Sequence, residues 1–408
     1  MSQDASSWAA EKRAAAVKNL ETLPALTDRE EEWRFTQPED LGLEGSEPEA
    51  GGASTAVAEV VGGTRLARLD FPDGVRSGDE PTGLPDGVIV CDLATAVDTH
   101  EALVRDRLYG LAGFDDKAGA LNAARWEAGL FVYVPRGVHV ELPIEAILSA
   151  TGATGRVFGR TLVVVEEGAK AIVVDRFVSP DLAGETIASS VVELYVAEGA
   201  ELEHISYVNW GAGMRHHLIL GASVGKDAKV RSVVITLGGE VIRVEPTLYV
   251  RGEGADARAL GLCFASGDQH FEHRVVSRHE APRAYSNLLY KGAIQDTAHT
   301  VFYGNLLVPP GAPGTDAYQT NRNLILNEGA RADTIPFLEI ETAEVKCSHA
   351  GAVGRVDDEH LFYLESRGVP RDVAKRLIVF GFFQEVLEQI TFAELRDELV
   401  AAVEKKVS

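Results

Sequence analysis

Val163-Val-Val-Glu-Glu-Gly-Ala-Lys-Ala171 is nearly repeated as Leu194-Tyr-Val-Ala-Glu-Gly-Ala-Glu-Leu202, and again as Leu324-Ile-Leu-Asn-Glu-Gly-Ala-Arg-Ala332. Each copy carries a β-prone apolar run into a small turn with glycine and out again. Glycine suits such a turn because positive φ costs it nothing. Weaker copies stand at Ser223–Val230, Tyr249–Ala257 and Leu289–Ala293. The aligned turn positions 168, 199, 227, 254, 292 and 329 are 31, 28, 27, 38 and 37 residues apart. Irregular repeats of a strand–turn–strand unit fit a β-solenoid better than a sandwich, because each unit buries its apolar face by stacking on the next.

Around these repeats, residues 129–356 read as one β body. Thr161–Val165, Ala171–Phe177, Ser190–Val196, Leu218–Leu220, Val230–Leu237 and Thr247–Val250 are rich in Val, Ile, Leu and Tyr, and helical periodicity is nearly absent. Residues 1–128 mix helical signals with loops. Helices are predicted over Ser7–Leu20, Thr99–Tyr109 and Asp115–Glu127, the first capped by Ser6 or Ser7. Residues 28–49 hold nine acidic and two basic side chains, and 44–87 reads as exposed loop rich in Gly, Pro and acidic residues.

Residues 357–408 are helical. One helix starts at Asp357–Glu359 and stops near Gly368, a second runs from Pro370 to about Ile390, and a third spans Phe392–Lys406. In the second, Val373, Leu377, Phe380 and Leu387 form one apolar stripe and Ile378, Phe382, Val386 and Ile390 another. Such a helix is buried on both sides or keeps one face for a partner. The end coils of a solenoid expose unpaired backbone, so the two flanking helical zones are expected to cover them.

Composition narrows the function. The 408 residues include 39 Lys+Arg against 62 Asp+Glu, a net charge of -23. So acidic a surface repels phosphate backbones and anionic lipid, which argues against nucleic acid and membrane as partners. No apolar run is long enough to span a bilayer, and no apolar leader is seen, so a cytoplasmic protein is expected. The three cysteines, Cys91, Cys263 and Cys347, are scattered and form no C-x-x-C pair, which suits a reducing compartment.

Few motifs carry chemistry. Gly221-Ala-Ser-Val-Gly-Lys-Asp227 fails as a phosphate loop, because only three residues separate the glycines and Asp replaces the magnesium-binding Ser/Thr. His270, His273, His279 and His299 are grouped but read as ordinary strand residues, and the adjacent His216 and His217 must point to opposite faces. Cys91 and Cys263 read as small core residues. Cys347-Ser-His349 is more suggestive. In a strand these two side chains share a face, and thiolate and imidazole both ligate iron. Two ligands are half a site, and the shared parity of Val345, Cys347, His349 and Val353 also suits a packed apolar face.

At this triplet the sequence resembles a known family. Lys346-Cys-Ser-His-Ala-Gly-Ala-Val-Gly354 followed by Leu361-Phe-Tyr-Leu-Glu-Ser-Arg-Gly368 is similar to the C-terminal signature of the SufB/SufD proteins, the Cys-Ser-His form resembling the SufD branch. Glu32-Trp-Arg-Phe-Thr36, Leu289-Tyr-Lys-Gly292 with Val301-Phe-Tyr-Gly304, and Thr320-Asn-Arg-Asn-Leu-Ile-Leu326 resemble other family elements, in order, across about residues 30 to 390.

The resemblance implies a right-handed parallel β-helix core (129–356) between N-terminal (1–128) and C-terminal (357–408) helical regions. It implies a cytosolic, non-enzymatic scaffold for iron–sulfur cluster assembly. Such a chain pairs with a SufB-like subunit through the β-helix, forms a possible homodimer when isolated, and binds a SufC-type ATPase through its C-terminal helices. A transient iron–sulfur cluster would form at the subunit junction, with His349 and Cys347 on this side and none held permanently by this chain alone. Phe380, Phe382, Phe383, Val386 and Ile390 are expected to form or support the ATPase contact. The competing readings are a β-helix lyase or glycosidase working through paired carboxylates, and a purely structural self-assembling solenoid.

Overall fold

A computed structural model describes residues 7–27, 29–43, 64–127 and 129–407. Two nine-stranded sheets face each other, and from Leu130 onward the chain crosses from one to the other at every turn. Sheet A runs Ala67–Pro72, Ile144–Ser149, Lys170–Val178, Glu201–Asn209, Lys229–Gly238, Asp256–Ala265, Tyr285–Ile294, Asp316–Ile325 and Lys346–Arg355. Sheet B runs Ile89–Asp92, Leu130–Val134, Arg156–Val165, Thr186–Val196, Met214–Val224, Val241–Val250, His270–His279, His299–Val308 and Arg331–Ile340. Every pairing is parallel except Ile89–Asp92 with Leu130–Val134. This is the parallel β-solenoid expected from the repeats.

Register is strict. Ala257, Ser286, Ala317 and Cys347 stack as one inward-facing column of sheet A, and Ala259, Leu288, Gln319 and His349 as the next. Inward positions of both sheets form one continuous apolar core from Ala67 to Ile325. Two cysteines confirm their reading as packing residues. Cys263 lies in that core and Cys91 in a neighbouring cluster, and burial pushes both thiols up to about 12.

The turn alignment needs correction. At the corner leading from sheet B to sheet A, Gly137, Gly168, Gly199, Asp227, Gly254, Arg283 and Gly314 all take positive φ. Their amides link successive coils, as in Gly168 N–H to Glu198 O (2.9 Å) and Gly199 N–H to Lys226 O (2.8 Å). Gly329 belongs to the opposite corner, above Asp296, and Gly292 lies inside a strand. The true column contains Arg283 and Asp227 where glycine was sought, and both corners use similar small polar turns.

Most helices lie where the sequence placed them, and the one over 99–109 does not. They are α1 (Ser7–Thr22), α2 (Leu93–Thr99), α3 (Glu101–Val104), α4 (Lys117–Arg125), α5 (Asp358–Ser366), α6 (Arg371–Leu387) and α7 (Ala393–Val407). The helix predicted over 99–109 is only α3, while α2, capped by the Asp92 carboxylate, precedes it. Ser6 and residues 44–63 of the acidic segment lie outside the described residues. The N-terminal zone also supplies strands Ala67–Pro72 and Ile89–Asp92 to the sheets.

Among the described residues, neither helical zone covers the last coil. The N-terminal elements lie on the outer face of sheet B, where Asn122 of α4 donates to Gly159 O (3.1 Å) and Ser189 O (3.0 Å). There the buried Arg160 guanidinium pairs with Glu193 at 2.8 Å, and Glu193 also accepts from the Tyr109, Leu111 and Ala112 amides. Helices α6 and α7 lie flat on the outer face of sheet A, against Val174, Ile205, Val233, Leu262 and Leu289. Amphipathic stripes showed that the helices must be buried, but a stripe does not say on which surface.

Candidate functional site at the open end of the solenoid

Strands Arg331–Ile340 and Lys346–Arg355 end their sheets, and each has a strand partner on one side alone. Both are ten residues long; the first is mostly half-buried and the second largely exposed, unlike the coils below. A long free edge with apolar side chains is a template for pairing with another chain. Phe337, Ile340 and Val353 are 38%, 37% and 47% exposed there.

Cys347 and His349 project from the inward side of the final strand. Cys347 packs partly against the core, over Ala317. His349 stands above Gln319 and is exposed, since no further coil covers it. The thiol and the imidazole therefore share one side of one strand at the mouth of the lumen. Partial burial, helped by the Asp316 carboxylate, pushes the Cys347 thiol up against a lowering hydrogen bond from the Ala317 backbone. It is a protonated thiol at neutral pH, and a metal would have to displace that proton. Among the described residues no three His, Cys, Asp or Glu side chains converge as a metal site.

The other histidines do not join this pair. His273 and His279 face inward and bond to the Thr236 (2.9 Å) and Ser286 (2.8 Å) hydroxyls. His270 and His299 face outward with rings 4.9 Å apart, bonded to Thr36 and Asp333. His216 points inward to Trp210 and Ser190, and His217 outward to Glu245, on opposite faces as alternation requires. In the turn at Gly225–Asp227, Lys226 pairs with Glu198 at 2.6 Å, which leaves nothing of a phosphate loop.

The quoted motifs acquire physical roles. Trp33 of Glu32–Thr36 is buried beneath the Arg243 guanidinium, 3.9 Å from its ring, and Arg243 donates to Glu32 O (2.8 Å), so the motif clasps the N-terminal layer to sheet B. Lys291 of the Leu289–Gly292 element reaches the Phe382 carbonyl (2.7 Å) and Glu385 (2.6 Å), fastening α6 to sheet A. Gly304 and Gly292 leave room for the side chains of Gln319 and Asn323, which a Cβ would strike. Sequence reasoning missed Gln319, Asn321 and Asn323, a buried amide layer directly under the open coil.

Of the five side chains expected to form or support a contact at α6, Phe383, Val386 and Ile390 are buried against sheet A, while Phe380 and Phe382 pack half-buried beside them. These five side chains hold the helix in place. The free apolar surface is next door, where Phe362 and Tyr363 of α5 and Leu377 of α6 are 71%, 56% and 51% exposed.

Comparison with known proteins completes the description. The family model described as "SUF system FeS cluster assembly, SufBD core domain" matches residues 147–382, and "SufBD protein N-terminal region" matches 73–146. An iron-sulfur cluster assembly SufBD family protein of Mycobacterium tuberculosis is 40% identical over 300 residues, covering 72% of this chain and 74% of its own. Its counterpart in Mycobacterium leprae is 39% identical over 301 residues, covering 72% and 76%. The iron-sulfur cluster assembly protein SufD of Bacillus subtilis is 29% identical over 326 residues, covering 79% and 74%. Among the described residues no helix is long and apolar enough to cross a membrane.

Proposed function

Because the chain belongs to the SufBD family of iron–sulfur cluster assembly proteins, on its SufD branch, we propose that it is the scaffold subunit that pairs with a SufB-like chain through its open coil. The observation that carries this reading is an inward-facing His349 and Cys347 left uncovered where a solenoid should be closed. A partner that adds its own coil would bury the edge and bring further ligands to the same mouth. The nascent cluster is then cargo, held between two chains and passed on. In the isolated chain the same edge would accept a second copy.

The energetic input would come from a SufC-type ATPase in the cytoplasm. Phe362, Tyr363 and Leu377 offer it an apolar contact, supported from beneath by Phe383, Val386 and Ile390. The partner can shift this chain only through different affinities for two states. Phe362→Glu and Leu377→Glu should each abolish ATPase binding with folding intact, and unaltered binding by both would sink that assignment.

The main test is iron and acid-labile sulfide in the anaerobically co-purified complex of the three proteins, wild type against His349→Ala. A complex that assembles equally well but loses its cluster puts His349 in the assembly site. Unchanged cluster content would leave this chain a scaffold without a ligand. The family match displaces the carbohydrate-active alternative, and nothing in the geometry favours it.

A further inference from the structure

Inward-facing histidines in this solenoid follow a pattern. His216 bonds to Ser190 and Trp210, His273 to Thr236, and His279 to Ser286. Each has a polar side chain waiting for it inside the lumen. His349 occupies the same inward side of its strand but makes no such bond, and it is exposed.

The coil beneath supplies the missing partner. Gln319 is His349's register neighbour, and parallel strands lie only about 4.8 Å apart. Gln319 is 1% exposed and buried inside the core. Its amide nitrogen donates to Gly304 O at 3.2 Å, but its side-chain oxygen has no hydrogen-bond partner. A buried amide oxygen left without a donor is costly, and native proteins rarely tolerate one without a reason. Gly304 has no side chain that would crowd this amide, so the site is shaped to hold Gln319 where it is.

We propose that Gln319 is a positioning residue for His349: its side-chain oxygen accepts the imidazole N–H when a partner covers the open coil. This rests on the reading of the open end given above. A neutral imidazole has one N–H and one lone pair. Fixing the N–H on Gln319 fixes the tautomer and turns the other nitrogen, as a ready ligand, toward the subunit junction. It also satisfies the orphaned oxygen. Binding of the partner and preparation of the ligand become a single event.

The experiment reads the ring itself. Histidine-labelled full chain, bound to its SufB-like partner without iron, is followed by the nitrogen shifts of His349 in wild type, Gln319→Leu and Gln319→Glu. Wild type and Gln319→Glu should show one tautomer, while Gln319→Leu should show a mixture. In the loaded complex, Gln319→Leu should retain iron about 10- to 100-fold less tightly. An unchanged ring spectrum in Gln319→Leu overturns the proposal. So does a mixture in Gln319→Glu, or an unfolding curve that shows both variants merely loosening the coil. Failure of His349→Ala to alter cluster content would instead refute the parent reading, and the tautomer result would still judge Gln319.

Discussion

The middle coils and the last coil are built from the same unit and differ in what lies above them. In the middle, inward histidines are sealed and bonded, and burial keeps His216, His273 and His279 neutral. His273 and His279 are held down to about 4 by burial, and His216 to about 3 by burial and its neighbour His217. At the last coil an equivalent inward position is open to solvent, over a layer of buried amides. The residue type stays the same, and the end of the stack leaves an exposed imidazole where the middle has a sealed one.

Four measurements can break this contrast, and the greatest effect belongs to the sealed body. Phe383→Ala should lower stability by about 3–5 kcal/mol in denaturant unfolding, because a fully buried ring leaves a cavity between α6 and sheet A. It should also weaken ATPase binding indirectly. A cost below ~1 kcal/mol would mean that α6 is not part of the core.

Next is pH. His216, His273 and His279 have folded pKa values below the unfolded one, so the unfolded chain binds more protons as the pH falls. Their stability contribution is complete above about pH 6.5 and drains away between about 6.5 and 4. At pH 5 each should have lost up to about 2 kcal/mol relative to neutral pH. Urea midpoints at pH 7 and 5 check this, and His273→Gln should flatten the slope by one histidine's share. A flat profile would show that the lumen admits water.

Smaller still is the effect of size on the open edge. The isolated chain should sediment as a dimer, and Val353→Lys with Ile340→Lys should return it to monomer. A wild-type monomer at micromolar concentration would count against edge pairing. Last, His349→Ala and Cys347→Ala should each move stability by no more than about 0.5 kcal/mol, since neither side chain is sealed. A loss as large as that of Phe383→Ala would reverse the comparison.

The sequence announced the solenoid because coil stacking demands a recurring turn, and Glu-Gly-Ala at 167–169 and 198–200 supplied it. It misled where chemistry was shared between corners. Gly329 looks like Gly168 yet turns the chain the opposite way, and Arg283 and Asp296 take positive φ without glycine to mark them. The intervals of 38 and 37 residues were the warning, since true coils advance by 27 to 31. His349 and Cys347 were legible because alternation puts them on one face. Gln319 was not, because its relation to His349 is one coil of register, visible only after the turns are correctly aligned.

Helix α7 touches the first coils. Thr64 donates from its amide to Glu394 at 2.7 Å, and Arg176 reaches Glu398 at 2.7 Å, so α7 starts beside the earliest coils of sheet A and ends, at Lys406, near Leu237 and Phe264. This has a consequence for birth on the ribosome. Coils can stack in the order they emerge, but the outer row of Val174, Ile205, Val233 and Leu262 stays bare until the final helices are released. Throughout synthesis the nascent protein displays a greasy stripe along one whole side, the kind of surface that aggregates or attracts chaperones. Helices α6 and α7, made after every coil, are therefore the elements that make this face of the molecule safe to leave alone.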